Sequence, residues 1–155
     1  MELERARAIA EQVKALLEPA CEKVAIAGSL RRRRPVVNDI DLVLVPRDRY
    51  AVDGILTRLG EVKMSGLKLT RVEMDTISLD VYYATPETFP TLLLIRTGSV
   101  ENNIRLATLA KKRGWHLAAS GDGLFDEKGR RVAGDSEKSI YEALRLPWQE
   151  PWERG

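Results

Sequence analysis

Cysteine and histidine are nearly missing from this 155-residue chain, each occurring once, as Cys21 and His116. A single thiol excludes an internal disulfide and leaves too few sulfur ligands for a structural zinc site, which fits a reducing compartment and predicts a cytoplasmic protein. No apolar run approaches the roughly 20 residues that cross a bilayer. The opening MELERARAIAEQ is charged and amphipathic, unlike a secretion signal, so no membrane partner is expected. An excess of charge of one sign is missing as well: 25 Lys and Arg stand against 23 Asp and Glu, a formal +2. Affinity for polyanions therefore has to come from local clustering. Repeats and low-complexity tracts are absent. What is present, 44% hydrophobic and 31% charged residues, suffices for one core and a small second lobe.

The periodicities predict an α+β protein. Leu3, Ile9, Val13, Leu16 and Leu17 recur at helical spacing up to Pro19. Val24-Ala-Ile-Ala27, stopped by Gly28-Ser29, and Ile40-Asp-Leu-Val-Leu-Val45, stopped by Pro46, read as strands. A helix over 50–59, a hairpin over 61–74 turning near Ser65-Gly66, and a strand over Thr76–Tyr83 follow. Beyond Thr85-Pro86 the texture changes to helices over 87–95 and 100–113, a glycine-punctuated β-like stretch over 115–133, and a last helix over 136–144 capped by Asp135 or Ser136. No flexible linker marks the boundary, so the two lobes are expected to pack together.

The stretch AGSLRRRRPVVNDIDL, residues 27–42, concentrates the chemistry. Alternate strand residues share a face, so Asp39 and Asp41 point together with backbones roughly 6.5 Å apart. Paired carboxylates suit hard cations such as magnesium, and two such ions can clamp the attacking and leaving oxygens of an in-line phosphoryl displacement. An isolated Asp-x-Asp is also a common solvated turn end. Gly28 lets backbone approach a ligand closely, and Ser29 offers a hydroxyl and an N–H where a helix begins. The guanidinium fork of Arg32 suits a triphosphate, whereas Arg31, Arg33 and Arg34 read as a solvated face or nonspecific DNA contacts. A third carboxylate on a neighbouring strand is Asp80, within the alternating Ser78-Leu-Asp-Val-Tyr. It is preferred to Asp75, which stands at a turn, and it would both ligate a cation and accept the proton of an attacking hydroxyl.

Gly28-Ser29-Leu-Arg-Arg32, Asp39-Ile-Asp41 and Leu79-Asp80-Val81 resemble the palm signature of the X family of DNA polymerases, within the nucleotidyltransferase superfamily. The resemblance continues through Thr97-Gly98-Ser99, Asn102-Asn103-Ile-Arg105, Leu124-Phe125-Asp126, Asp135-Ser-Glu-Lys-Ser-Ile-Tyr141 and Leu146-Pro-Trp-Gln-Glu-Pro151. It implies a nucleotidyltransferase palm over 1–85, a mixed sheet with flanking helices, followed by an α+β thumb over 86–155. It further implies DNA synthesis on a gapped or primer–template substrate from dNTP or NTP, with two Mg2+ ions, replaceable by Mn2+, on Asp39, Asp41 and Asp80. Gly28, Ser29 and Arg32 would hold the β and γ phosphates, Thr97-Gly98-Ser99 would lie against the sugar, and Asn103 and Arg105 would face the nascent pair or template.

Two departures stand out. The family's lyase lobe and helix-hairpin-helix fingers are missing ahead of the Gly-Ser turn, so the expectation is a monomeric minimal palm-plus-thumb form, as in some viruses, with an accessory protein supplying those functions. No metallophosphatase domain is seen either, and independent 3′-to-5′ exonuclease activity is not expected. Where DNA-synthesising members often carry an aromatic pair before Thr-Gly-Ser, this chain has Ile95-Arg96.

Lys111, Lys112 and Arg113 are either cations closing a helix or contacts to DNA phosphate. His116 carries no assigned role, and Trp115, Trp148 and Trp152 are read as packing anchors ahead of stacking platforms. The rival functions are a template-independent or non-DNA nucleotidyltransferase and a DNA-binding protein without catalysis.

Overall fold

The computed structural model describes all residues, 1–155. Strand β2 (Asp39–Pro46) organises the first half. Its even positions Ile40, Leu42 and Leu44 are fully buried on one side, and on the other side Val43 and Val45 are buried while Asp39 and Asp41 are not. One face of the strand thus changes from carboxylate to valine within four residues.

Around it forms a mixed five-stranded sheet of order β1-β2-β5-β4-β3, made with β1 (Cys21–Ile26), β3 (Glu61–Ser65), β4 (Leu69–Glu73) and β5 (Ser78–Tyr83). Strand β2 runs parallel to β5, and the remaining pairings are antiparallel. The crossover from β2 to β5 contains α3 (Arg49–Leu59) and the β3–β4 hairpin. Asp48 caps α3 by accepting from the Tyr50 and Ala51 N–H groups.

Helices α1 (Leu3–Leu17) and α3 cover one face of the sheet. Ala6, Ala10, Val13 and Leu17 form the buried stripe of α1, while Leu16, expected on that stripe, is 53% exposed. The alanines let the helix lie close to the sheet, and Ala6 at i, Ala10 at i+4, Val13 at i+7 and Leu17 at i+11 match the 3.6-residue turn. Strand β1 begins at Cys21, earlier than its apolar pattern suggests, because backbone pairing with β2 extends to Pro46 regardless of the exposed Glu22 and Lys23.

The second half starts with α4 (Phe89–Thr97), which is apolar nearly all round. Phe89, Leu92 and Leu93 pack with Ala27, Val43 and Val45 on the sheet's other face. Leu94 enters a separate core with Leu106, Leu117, Leu124, Ile140 and Tyr141. That core is enclosed by α5 (Val100–Lys112), a three-stranded sheet of β6 (His116–Ala118), β7 (Gly123–Phe125) and β8 (Arg131–Ala133), and α6 (Glu137–Ala143). Ser136 caps α6 in a reciprocal box with Ser139, which settles the choice between Asp135 and Ser136. No helix is long and apolar enough to cross a membrane.

Candidate active site

The carboxylates lie where α4 stops covering the sheet. In the parallel β2–β5 ladder Asp41 is the register partner of Asp80, and Asp39 that of Ser78. Register partners share a face, so all three aspartates share one side of two adjacent strands, as the alternation predicts. Asp75 lies in the exposed turn between β4 and β5. Burial, followed by repulsion from Asp80 and then Asp39, pushes the Asp41 carboxyl up to about 7, against the opposing pull of Arg96 and Arg32.

Gly28 opens α2 (Gly28–Arg31) beside this cluster. Its φ of +62° is left-handed, and a Cβ there would stand 2.1 Å from Asp41 Oδ2. Only glycine satisfies both conditions. Ser29 follows in the first turn of α2, whose leading N–H groups have no intrahelical acceptor.

Arg32 joins the two Gly-Ser turns of the chain, its Nη1 donating to Thr97 O at 2.6 Å. Gly98, with φ of +71°, brings its backbone so near that a Cβ would meet Arg32 Nη1 at 3.1 Å. Ser99 caps α5 by accepting from the Asn102 N–H, and its hydroxyl donates to Arg154 O at 2.6 Å. Asn103 anchors its amide on Ile95 O at 2.8 Å. Arg32 Nε and Asn103 Oδ1 are both buried without a hydrogen-bond partner within the protein.

The arginine block is only in part a solvated face, since Arg31 and Arg32 are half-buried. Arg31 donates to Glu137 Oε1 at 2.6 Å and Oε2 at 2.9 Å, and to Thr97 Oγ1 at 2.8 Å. Arg33 lies over the Trp152 ring at 3.6 Å. Arg31, Arg32 and Arg33 thus tie α2 to the second half, and of the three expected on a solvated face Arg31 departs from that expectation, while Arg33 and Arg34 are exposed. Arg113 is also committed, donating to the carbonyls of Ala143 and Leu144 at the end of α6. Arg105 donates to Asn102 and Gln149. Lys111 and Lys112 are exposed in the last turn of α5, about 18 Å along the helix from Ser99 at 1.5 Å per residue. His116 is exposed on β6, Trp115 and Trp148 pack against the second core, and Trp152 is 45% exposed.

Two further arginines stand at the site, of which Arg71 carried no sequence motif. Arg71 of β4 donates from Nε to Asp80 Oδ1 at 2.8 Å and from Nη2 to Oδ2 at 3.3 Å. The Arg96 guanidinium lies over the Tyr82 ring, 4.2 Å from its centroid. The β4–β5 register places Arg71 opposite Asp80.

The donor set is hard carboxylate oxygen under mutual repulsion, which fits divalent cations such as Mg2+. No three acidic side chains converge as a ready-made cage. Both oxygens of Asp80 are instead turned to Arg71.

A mixed sheet that carries aspartates on adjacent parallel strands beside a Gly-Ser helix start, with a smaller α+β lobe joined to it through α4, is the architecture of a nucleotidyltransferase palm and thumb. Residues 92–155 match the family model described as DNA polymerase beta thumb. Over 132 residues the chain is 34% identical to the DNA polymerase/3′-5′ exonuclease PolX of Bacillus subtilis (strain 168), covering 81% of this chain and 23% of that protein. It is 26% identical over 112 residues to the Repair DNA polymerase X of African swine fever virus (isolate Tick/Malawi/Lil 20-1/1983), covering 66% and 64%. The chain thus spans about a quarter of the bacterial relative and less than two thirds of the viral one. A crystal structure of Leishmania infantum polymerase beta, described as a ternary P/T complex, superposes with a TM-score of 0.80 at 19% identity, over 100% of this chain and 76% of that one. That likeness establishes the fold. The chain belongs to the X family of DNA polymerases.

Proposed function

We propose that the protein is a DNA polymerase that adds nucleotides to a primer 3′-hydroxyl, filling short gaps in repair or replication, with residues 1–85 as palm and 86–155 as thumb. The observation that carries this reading is the shared face of Asp39, Asp41 and Asp80 beside two Gly-Ser turns bridged by Arg32. In this reading Ser29 and Arg32 hold the β and γ phosphates, and Gly28 keeps the backbone close enough for Asp41 to serve the same site. Asp39, Asp41 and Asp80 would hold two divalent cations, which would supply the charge stabilisation of an in-line phosphoryl displacement. Asp80 also takes the proton of the attacking hydroxyl. Thr97-Gly98-Ser99 supports the sugar, and the buried, unpartnered Asn103 Oδ1 is an acceptor for the nucleotide.

Gapped or primer–template DNA and dNTP or NTP are the substrates in this reading. Lys111 and Lys112 meet DNA phosphate remote from the chemistry, and Arg105 does so only by leaving Asn102 and Gln149. In this reading the active form is a cytoplasmic monomer. The test is incubation with Mg2+ and labelled nucleotides on gapped, primed, single-stranded and no-DNA substrates. Extension strongest on gapped or primed template is expected. Equal incorporation on single strands identifies a template-independent transferase, and DNA binding without incorporation overturns the enzymatic reading.

A further inference from the structure

Arg71, Asp80 and Asp41 form one transverse row. Arg71 is the register partner of Asp80 in the β4–β5 ladder, and Asp80 that of Asp41 in the β5–β2 ladder. A guanidinium and two carboxylates therefore stand side by side on three adjacent strands, facing the same way. The fork of Arg71 takes both Asp80 oxygens, at 2.8 and 3.3 Å, and Asp80 is its only hydrogen-bond partner. The two members differ in exposure: the Asp80 side chain is 10% exposed and that of Arg71 45%.

We propose that Arg71 is the internal counter-cation of this row, a positioning residue that competes with divalent cations for the Asp80 carboxylate. Loading the site is then an exchange of one cation for another. This rests on the reading of Asp39, Asp41 and Asp80 as cation ligands.

Asp80 next to Asp41 and without Arg71 would be a nearly buried charge facing a like charge, a costly arrangement. Arg71 offsets that cost and fixes the carboxylate's rotamer. Its own exposure makes it a replaceable partner, because a half-solvated pair contributes little and the guanidinium is free to swing into water. A divalent ion brings twice the charge to the same oxygens, so the exchange runs forward. The pair lowers cation affinity by its own strength.

Mn2+ binding to the full chain, followed by the electron paramagnetic resonance of free Mn2+, tests this with R71Q, R71K, D80N and the R71Q/D80N double variant. R71Q is expected to bind Mn2+ about five- to tenfold more tightly than the parent. Its thermal midpoint in chelator should fall, and its rise on adding Mn2+ should exceed the parent's. R71K, a point charge without the fork, should lie between them. In the D80N background R71Q should leave Mn2+ affinity unchanged, a coupling that a merely structural role would not produce. Equal or weaker Mn2+ binding by folded R71Q overturns the exchange. If R71Q does not fold, R71K binding Mn2+ as the parent does overturns it. Absence of Mn2+ binding in the parent and every variant overturns the reading of the aspartates as ligands, and the exchange with it.

Discussion

Arg31 lays two guanidinium nitrogens on the two carboxylate oxygens of Glu137, at 2.6 and 2.9 Å, across a sequence separation of 106 residues. Their side chains are 23% and 10% exposed, so loss of either leaves a charge that water reaches poorly. Arg31→Ala is expected to destabilise the protein by about 1–3 kcal/mol, read as a lower urea midpoint with an unchanged slope. Arg31→Lys should recover only part, since a single ammonium cannot reproduce two parallel bonds. Full stability in Arg31→Ala would show that Arg154, 3.5 Å from Glu137, suffices alone.

Arg32 differs from its neighbour in having a buried nitrogen without a partner. Arg32→Ala should reduce kcat/KM for the incoming nucleotide about a hundredfold under saturating DNA, the equivalent of roughly 3 kcal/mol. Arg33→Ala and Arg34→Ala should change it little. A comparable loss in either would show that summed charge, and not one placed fork, holds the triphosphate.

Asp41 sets a pH dependence. Its carboxyl is pushed up to about 7 in the folded chain, against about 4 when unfolded. Between these values the folded state binds the extra proton, so this group's contribution to stability falls as pH rises from about 4 to about 7 and is constant above. Thermal midpoints in chelator should trace that decline. Asp41→Asn should flatten it and raise the midpoint near pH 8 while abolishing extension. A variant that is inactive but no more stable would locate the strain elsewhere.

Sugar selection is expected to be weak. Ile95 packs against the second core and its carbonyl accepts from Asn103, so its side chain is not available as a wall against a 2′-hydroxyl. Arg96 is exposed and stacked on Tyr82, leaving a flexible group where an aromatic ring would exclude ribose. The ratio of dNTP to NTP efficiency on one gapped template should be small and should rise in Arg96→Phe, with Ile95→Tyr ineffective or damaging to folding. A strong deoxy preference in the parent would assign selection to the turn's backbone.

Local patterns carried much of this molecule. The alternation in Ile40–Val45 and Ser78–Tyr83, the turn at Ser65-Gly66 and the cap at Ser136 are consequences of neighbouring residues, and each is legible without a fold. The carboxylate face of β2 was readable for the same reason. The arginine block was not, because its partners Glu137 and Trp152 lie more than a hundred residues away and nothing in RRRR distinguishes a bound guanidinium from a solvated one. Arg71 lay between these cases. Its pairing with Asp80 depends on the β4–β5 register, and an arginine on an exposed strand position carries no pattern that separates it from Lys63.

Helix α4 divides its side chains between two interiors, with Phe89, Leu92 and Leu93 in one and Leu94 in the other. Neither half can lose its structure without stripping apolar surface from its neighbour, since the same short helix is a wall of both. The chain should therefore melt as one cooperative unit, with a calorimetric enthalpy matching the van't Hoff value. Separating it between Thr85 and Pro86 would leave the sheet without the helix that dries Val43 and Val45.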